Sequence, residues 1–273
     1  DTSLKTLIPC IRSIALASKL PERVAGLSID RQCVGGLDAI LLGIKLVHAG
    51  SANIVVAGGV ESFSNRPIRL AQEYDKILVP YDAPAFTPNL YQEIQMAEAA
   101  FNIAEKFGFT QMDQDMFAIN SHVNALKSKK YLIDEIVNIG PENTLFDPYA
   151  RNLNLKLCER APKLFGSITY ANTAISADAA SFVVICRNII KGRKALKLIS
   201  GATVGANPKL PGLAPITAIE EVFQASGLRQ KNINQVEVME AYASQAMACL
   251  SESGLGNVKT NPKGGALARG HPI

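Results

Sequence analysis

The chain reads as an α/β protein with an inserted, mostly helical segment, and three observations point there. Apolar runs of strand length at 24–29 and 181–186, and a further strand pattern at 235–240, alternate with stretches whose apolar residues recur at helical spacing. A strand-to-helix corner occurs twice, around Cys33 and around Tyr242. Between 62 and about 139 the alternation stops, prolines 67, 80, 84 and 88 punctuate the chain, and two helical patterns follow.

Composition sets the limits. With 273 residues, 48% hydrophobic and 19% charged, the chain can bury a large core in one or two domains. No apolar run is long enough to span a bilayer, and Asp1–Lys5 lacks the layout of a signal peptide, so no membrane association is expected. The net charge of +4 is spread along the chain and aromatics are only 6%, which excludes a basic, aromatic-interleaved nucleic-acid surface. The five cysteines, 10, 33, 158, 186 and 249, form no CxxC pairs and have no histidines at ligand spacing. That argues against a disulfide framework or a metal site and favours a reducing, cytoplasmic setting. Cys10, Cys186 and Cys249 fall in apolar patterns and read as core; Cys158 lies in a polar stretch and has no assignment.

In chain order, Pro9 to Lys19 reads as a packing helix with Ile11, Ile14 and Ala15 on one face. Val24–Ile29 reads as a buried strand, and Leu37, Ile40, Leu41, Ile44 and Val47 mark the helix that follows, ending at Gly50. Asn53–Ala57 is the next strand, completing a unit with a right-handed crossover. Met96–Gly108 is a helix closed by glycine, and Thr110 with Asp113 three residues on caps a second one. Ser181–Cys186 reads as a central strand, Ala195–Ile199 as an alternating one, Pro215–Phe223 as a helix stopping near Gly227, Gln235–Glu240 as a strand, and Tyr242–Ser253 as a helix.

Chemistry concentrates where strand meets helix. An arbitrary cysteine is a small buried packing residue. Cys33, however, sits on the corner Asp30-Arg31-Gln32-Cys33-Val34-Gly35-Gly36-Leu37, where two glycines clear the first helical turn and unpaired N–H groups favour negative charge. Such a site lowers a thiol's pKa and makes it nucleophilic. A lone histidine on a glycine-rich turn, such as His271, is by itself structural or solvated; His48 and His122 keep that reading.

Taken together, four stretches resemble the thiolase family of acyl-CoA acyltransferases. They are the Cys33 corner followed by Ala57-Gly58-Gly59-Val60-Glu61-Ser62, then Phe165-Gly166-Ser167-Ile168-Thr169-Tyr170-Ala171-Asn172-Thr173-Ala174, Met239-Glu240-Ala241-Tyr242-Ala243, and Asn261-Pro262-Lys263-Gly264-Gly265-Ala266-Leu267-Ala268-Arg269-Gly270-His271-Pro272. The resemblance implies a thiolase-like fold divided into an incomplete N-terminal half (1–62), a loop domain (63–165), a return strand of the first half (166–190) and an incomplete C-terminal half (191–273). It implies Claisen-type condensation or thiolytic cleavage of 3-ketoacyl-CoA, with Cys33 as nucleophile and His271 as base, the CoA thioester as substrate, no permanently bound cofactor and no metal. It also implies a homodimer or homotetramer. Arg151 matches an arginine that reaches the CoA adenine; Met96 and Tyr242 fall on the acyl or pantetheine side.

Departures from the family pattern are specific. Asp30 and Gly35 differ in the nucleophile motif, and Gln95 replaces a histidine. Ala174 replaces a serine that hydrogen-bonds the pantetheine arm, a loss of about 1 kcal/mol. Met239 replaces the asparagine that holds an oxyanion water, a loss of roughly 10²–10³ in rate. The family runs on past Gly-His-Pro to a Cys-x-Gly segment, so the 273 residues are expected to be part of a longer polypeptide, the alternative being a truncated relative. Two rival readings remain: an impaired thiolase-like protein that binds acyl-CoA or a partner, and a β-ketoacyl synthase-like enzyme, against which the Gly-Gly-Ala…Gly-His-Pro turn argues.

Overall fold

A computed structural model describes residues 11–72, 78–81, 88, 93–138 and 146–273. Cys10, Pro84 and the Pro9 start of the first helix lie outside the described residues. The chain divides into two compact units, Asp1–Gly59 with Ala180–Arg193, and Val60–Ala179 with Lys194–Ile273.

The first unit opens with helix α1, Ile11–Ala17. A 3₁₀ turn over Gln32–Val34 then leads into α2, Gly35–His48. Strand β1, Ile54–Glu61, pairs with the later strand β6, Ala179–Cys186. Helix α2 packs on this ladder at Gly43, where an added Cβ would stand 2.9 Å from Ile185 and 3.0 Å from Val55. A larger residue there must displace the ends of the Ile185 and Val55 side chains.

Two expectations fail in this unit for one reason. Val24–Ile29 joins no ladder among the described residues, and its Leu27 and Ile29 are exposed. Its neighbour is instead the α1 residue Arg12, whose guanidinium donates to Val24 O (2.5 Å) and Glu22 O (2.6 Å). Likewise β6 is not a buried central strand: Phe182, Val183 and Val184 are exposed. An apolar run reports that a strand needs covering, not that the covering lies within these residues.

In the second unit, β2 (Arg69–Gln72) and β3 (Leu78–Tyr81) form an antiparallel pair. Helices α3 (Met96–Phe107) and α4 (Gln111–Leu132) follow. The expected boundaries hold here. Gly108 closes α3 at φ 69°, and Thr110 and Asp113 form a reciprocal capping box on α4. Next come α5 (Leu155–Glu159), the antiparallel pair β4 (Lys163–Phe165) and β5 (Ile168–Thr169), and α6 (Ala214–Ser226), stopped at Gly227. Parallel strands β7 (Gln235–Val236) and β8 (Lys259–Thr260) flank α7 (Ala243–Glu252), and α8 is the single turn Ala266–Arg269. The strand expected at 195–199 is absent, with Leu196, Leu198 and Ile199 exposed, and the one at 235–240 shrinks to two residues.

The core of this unit gathers Ala118 of α4, Leu153, Cys158 of α5, Ala171, Ala243 of α7 and Leu267 of α8. These are mostly small side chains, so helices approach closely and polar groups carry much of the specification. Cys158, unassigned from sequence, is a fully buried member, its thiol pushed up to about 11 mainly by burial. Cys249 is buried too, as expected, while Cys186 is half-buried at the end of β6.

His122 of α4 is 1% exposed, and its Nδ1 accepts the Arg151 N–H at 3.2 Å. Burial, with a smaller contribution from Arg151, lowers its pKa from 6.5 to about 4. A histidine held neutral in the folded state contributes stability that is complete above pH 6.5 and drains away as pH falls toward 4. At about 1.4 kcal/mol per pH unit the window is worth roughly 3 kcal/mol. Glu240 and Asp115, raised by burial, act with the opposite sign. The His122 part is therefore read by difference: the unfolding free energy of His122→Gln should fall less between pH 6.5 and 4 than that of the wild type. Parallel curves for the two proteins would show that His122 is not the group lost.

Candidate active site

Cys33 belongs to the first unit and lies in the middle of the 3₁₀ turn before α2. The turn is tightly made. Gln32 takes φ 51°, a left-handed conformation unusual for a side-chain-bearing residue, and its N–H donates to Asp30 Oδ1 at 3.0 Å. Asp30, a departure from the family motif, thus braces this corner by accepting the Gln32 N–H. Arg31 Nε pairs with Asp38 of α2 at 3.0 Å. Cys33 is exposed by area, yet the neighbouring atoms desolvate its sulfur, and burial pushes the thiol above its ordinary value while a hydrogen bond from its own backbone pulls the other way. The lowered thiol pKa expected from sequence is therefore corrected. The 3₁₀ turn places Cys33 two residues ahead of Gly35, where α2 begins, and desolvation outweighs the local dipoles.

The second unit builds its site around backbone rungs. The segment after Asn172 runs beside both later motifs: Thr173 bridges Tyr242, and Ala174 N donates to Ala241 O at 3.0 Å. Ser176 bridges His271, whose N–H donates to Ile175 O at 2.6 Å and whose carbonyl accepts from Ala177 N at 3.2 Å. Ala174, Tyr242 and His271 are thereby brought together through main-chain contacts. The His271 side chain is buried, and burial lowers its pKa.

Two buried polar clusters hold these rungs. Asn172 accepts from Thr169 N (2.8 Å), donates to Asp115 Oδ1 (2.9 Å) and Ser167 O (3.1 Å), and lends its carbonyl to Ala243 N (3.0 Å) at the start of α7. Glu240, 1% exposed, accepts from Ser121 Oγ (2.7 Å), Asn261 Nδ2 (2.5 Å) and Leu267 N (3.1 Å). Gly265 packs directly on that carboxylate; a Cβ there would overlap it. Asn261, at φ 40°, also clamps Val238, accepting its N–H at 2.8 Å and donating to its carbonyl at 2.9 Å. Met239 stands between the two fixed residues 238 and 240 and is 41% exposed. The remaining sequence candidates sit elsewhere in this unit. Met96 opens α3, half-exposed, and the exposed Arg151 guanidinium lies 4.7 Å from the Tyr149 ring centroid.

Ser121, Asp115 and the buried role of Glu240 escaped the sequence reading. One signal was available: the inward face of α4 is Gln114, Asp115, Ala118, Ser121, His122, Ala125 and Ser128, a helical stripe of polar and small residues that an apolar-periodicity search passes over. Among the described residues no group of three His, Cys, Asp or Glu side chains is placed to hold a metal, and no helix is long and apolar enough to cross a membrane.

An α/β chain with a cysteine at a helix entry, and a Gly-His-Pro turn laced to an Asn172 segment, has the parts of one enzyme class. Residues 4–188 match the thiolase N-terminal domain and residues 193–273 the thiolase C-terminal domain, so the chain belongs to the thiolase family and is a thiolase-type acyltransferase. It is 32% identical to a putative acetyl-CoA C-acetyltransferase VraB of Staphylococcus haemolyticus, over 96% of this chain and 72% of that protein. It is 31% identical to a β-ketoadipyl-CoA thiolase of Acinetobacter baylyi, over 96% and 73%. Among solved structures it resembles the acetyl-CoA acetyltransferase of Bacillus anthracis, with TM-score 0.84, 28% identity and 96% and 72% coverage. The human mitochondrial 3-ketoacyl-CoA thiolase in complex with CoA gives TM-score 0.82 at 27% identity, over 96% and 71%.

Proposed function

We propose that the protein is an acyl-CoA C-acyltransferase that works through an acyl-Cys33 intermediate. Cys33 attacks the thioester carbonyl of the first acyl-CoA, the C–S bond to CoA breaks, and the thiol proton passes to His271 and on to the departing CoA thiolate. In the second half the α-carbon of another acyl-CoA gives up a proton to a base and attacks the acyl carbonyl, the C–S bond to Cys33 breaks, and the thiolate is reprotonated. In reverse, Cys33 attacks the 3-keto carbonyl, the Cα–Cβ bond breaks, the departing carbanion takes a proton, and the CoA thiol then receives the acyl group from Cys33. Arg151, Met96, Ala174 and Tyr242 are the proposed CoA and acyl contacts. The observation that supports this reading best is the main-chain lacing of His271 to Ile175–Ala177, which seats the backbone of the Gly-His-Pro turn beside the Asn172 segment.

A second reading, an impaired family member that binds acyl-CoA, is favoured by Met239 in the oxyanion-water position and by Ala174 in place of the pantetheine serine. Incubation with a 3-ketoacyl-CoA and CoA, followed by chromatography of the CoA esters, separates the two. Shortened acyl-CoA supports the enzyme; bound but unchanged substrate supports the binder.

The division at 62, 165 and 190, a cytoplasmic location and a place in acyl-chain metabolism belong to the same proposal. So does assembly as a homodimer or homotetramer, paired through the Val24–Asp30 segment, whose Leu27 and Ile29 are exposed. An obligate interface of this kind buries more than about 2,000 Å². Sedimentation at micromolar concentration should show no monomer; a purely monomeric boundary would remove the assembly from the account.

A further inference from the structure

Helix α4 presents a polar stripe at i, i+3 and i+7 to the turn that carries His271. Asn124 Nδ2 donates to Asn261 O at 3.2 Å and Ser128 Oγ donates to Lys263 O at 3.0 Å. Ser121, 3% exposed, does more than either. Its hydroxyl donates to Glu240 Oε2 at 2.7 Å and accepts the Gly265 N–H at 2.9 Å. Both capacities of one hydroxyl are thus spent on two motifs that lie 25 residues apart in sequence.

From Gly265 the connection to His271 is short. Leu267 N is held by the same Glu240 carboxylate, and Gly270 N closes α8 on Ala266 O at 2.8 Å. The next residue is His271. We propose that Ser121 is a positioning residue for His271, fixing its turn against Glu240 so that the imidazole is held in its working place. Without the hydroxyl, Glu240 loses a donor and Gly265 N–H loses an acceptor in a site closed to water, and the turn must shift to satisfy them. The inference rests on the assignment of His271 as the base, and its test is built to separate the two.

Four proteins are compared: the wild type, Ser121→Ala, Ser121→Thr, which keeps the hydroxyl, and Thr110→Ala, which removes the cap of the same helix without touching the turn. Two readouts are taken, turnover of 3-ketoacyl-CoA and hydrogen exchange of the peptide spanning 264–271. Ser121→Ala should lower kcat by roughly 10- to 100-fold, as misplacing a reacting group does. KM for the acyl-CoA should stay within about twofold. Exchange at 264–271 should quicken on the order of 10-fold while distant peptides stay unchanged. Ser121→Thr should recover most of kcat, and Thr110→Ala should lower Tm while leaving kcat in place. If Ser121→Ala costs no more kcat than Thr110→Ala, or if exchange rises evenly across the chain, Ser121 is only a stability residue. Should the wild type turn nothing over, the assignment of function falls, and the exchange at 264–271 alone decides whether Ser121 fixes the turn.

Discussion

Met239→Asn should raise thiolytic turnover by up to roughly 10²–10³, the contribution of one oxyanion donor. The position is prepared for it. Residue 238 is clamped by Asn261 through both its N–H and its carbonyl, and residue 240 is anchored by three hydrogen bonds, so the backbone between them is set whatever side chain it bears. Because Met239 is 41% exposed, a polar amide at this position can reach solvent, and the substitution should lower stability only moderately while leaving the fold intact. A thioether cannot orient a water toward a developing oxyanion, whereas an amide can donate to one. The acyl-transfer half of the reaction draws on Cys33 and should change little. Steady-state turnover together with the rate of acyl-enzyme formation checks both parts. Equal turnover in the two proteins would show that Met239 stands outside the reaction path.

His271→Ala should lower turnover by about 10²–10⁴, the range for loss of a general base. Its main-chain contacts, N–H to Ile175 O and carbonyl to Ala177 N, survive the substitution, so the backbone of the turn stays seated. The side chain is buried, so Tm should fall somewhat as well, and a loss of rate far larger than that fall explains is the expected pattern. Burial lowers the His271 pKa, so the imidazole stays neutral and able to accept a proton down to pH values below the ordinary 6.5. The acid limb of kcat/KM should accordingly fall below 6.5, and the variant should lack that limb. A variant with the wild-type profile would relieve His271 of its role.

Helix boundaries were the most legible part of the fold, because they rest on local chemistry. Gly108, Gly227 and the Thr110–Asp113 box act within one turn, and each sits where the sequence places it. Strands were less legible because an apolar run states a demand for burial without naming the partner. Val24–Ile29, Ser181–Cys186 and Ala195–Ile199 all illustrate this: the first is unladdered, the second is paired but uncovered, and the third is not a strand. The same limit applies to the site. Cys33, His271 and the Met239–Tyr242 motif were visible as residue types in order, whereas Ser121 became visible only when α4 was placed against the 261–265 turn. The direction of the Cys33 shift was misread because sequence reveals a helix start but not the desolvation around a sulfur.

The most direct test of the account is the mass of the protein after brief exposure to acetyl-CoA at neutral pH, followed by peptide mapping. The proposed mechanism predicts one acetyl group, carried by the peptide that contains Cys33, removed when CoA is added and absent from Cys33→Ala. An unmodified protein that nevertheless binds acetyl-CoA, or an acetyl group carried on another residue, would contradict it.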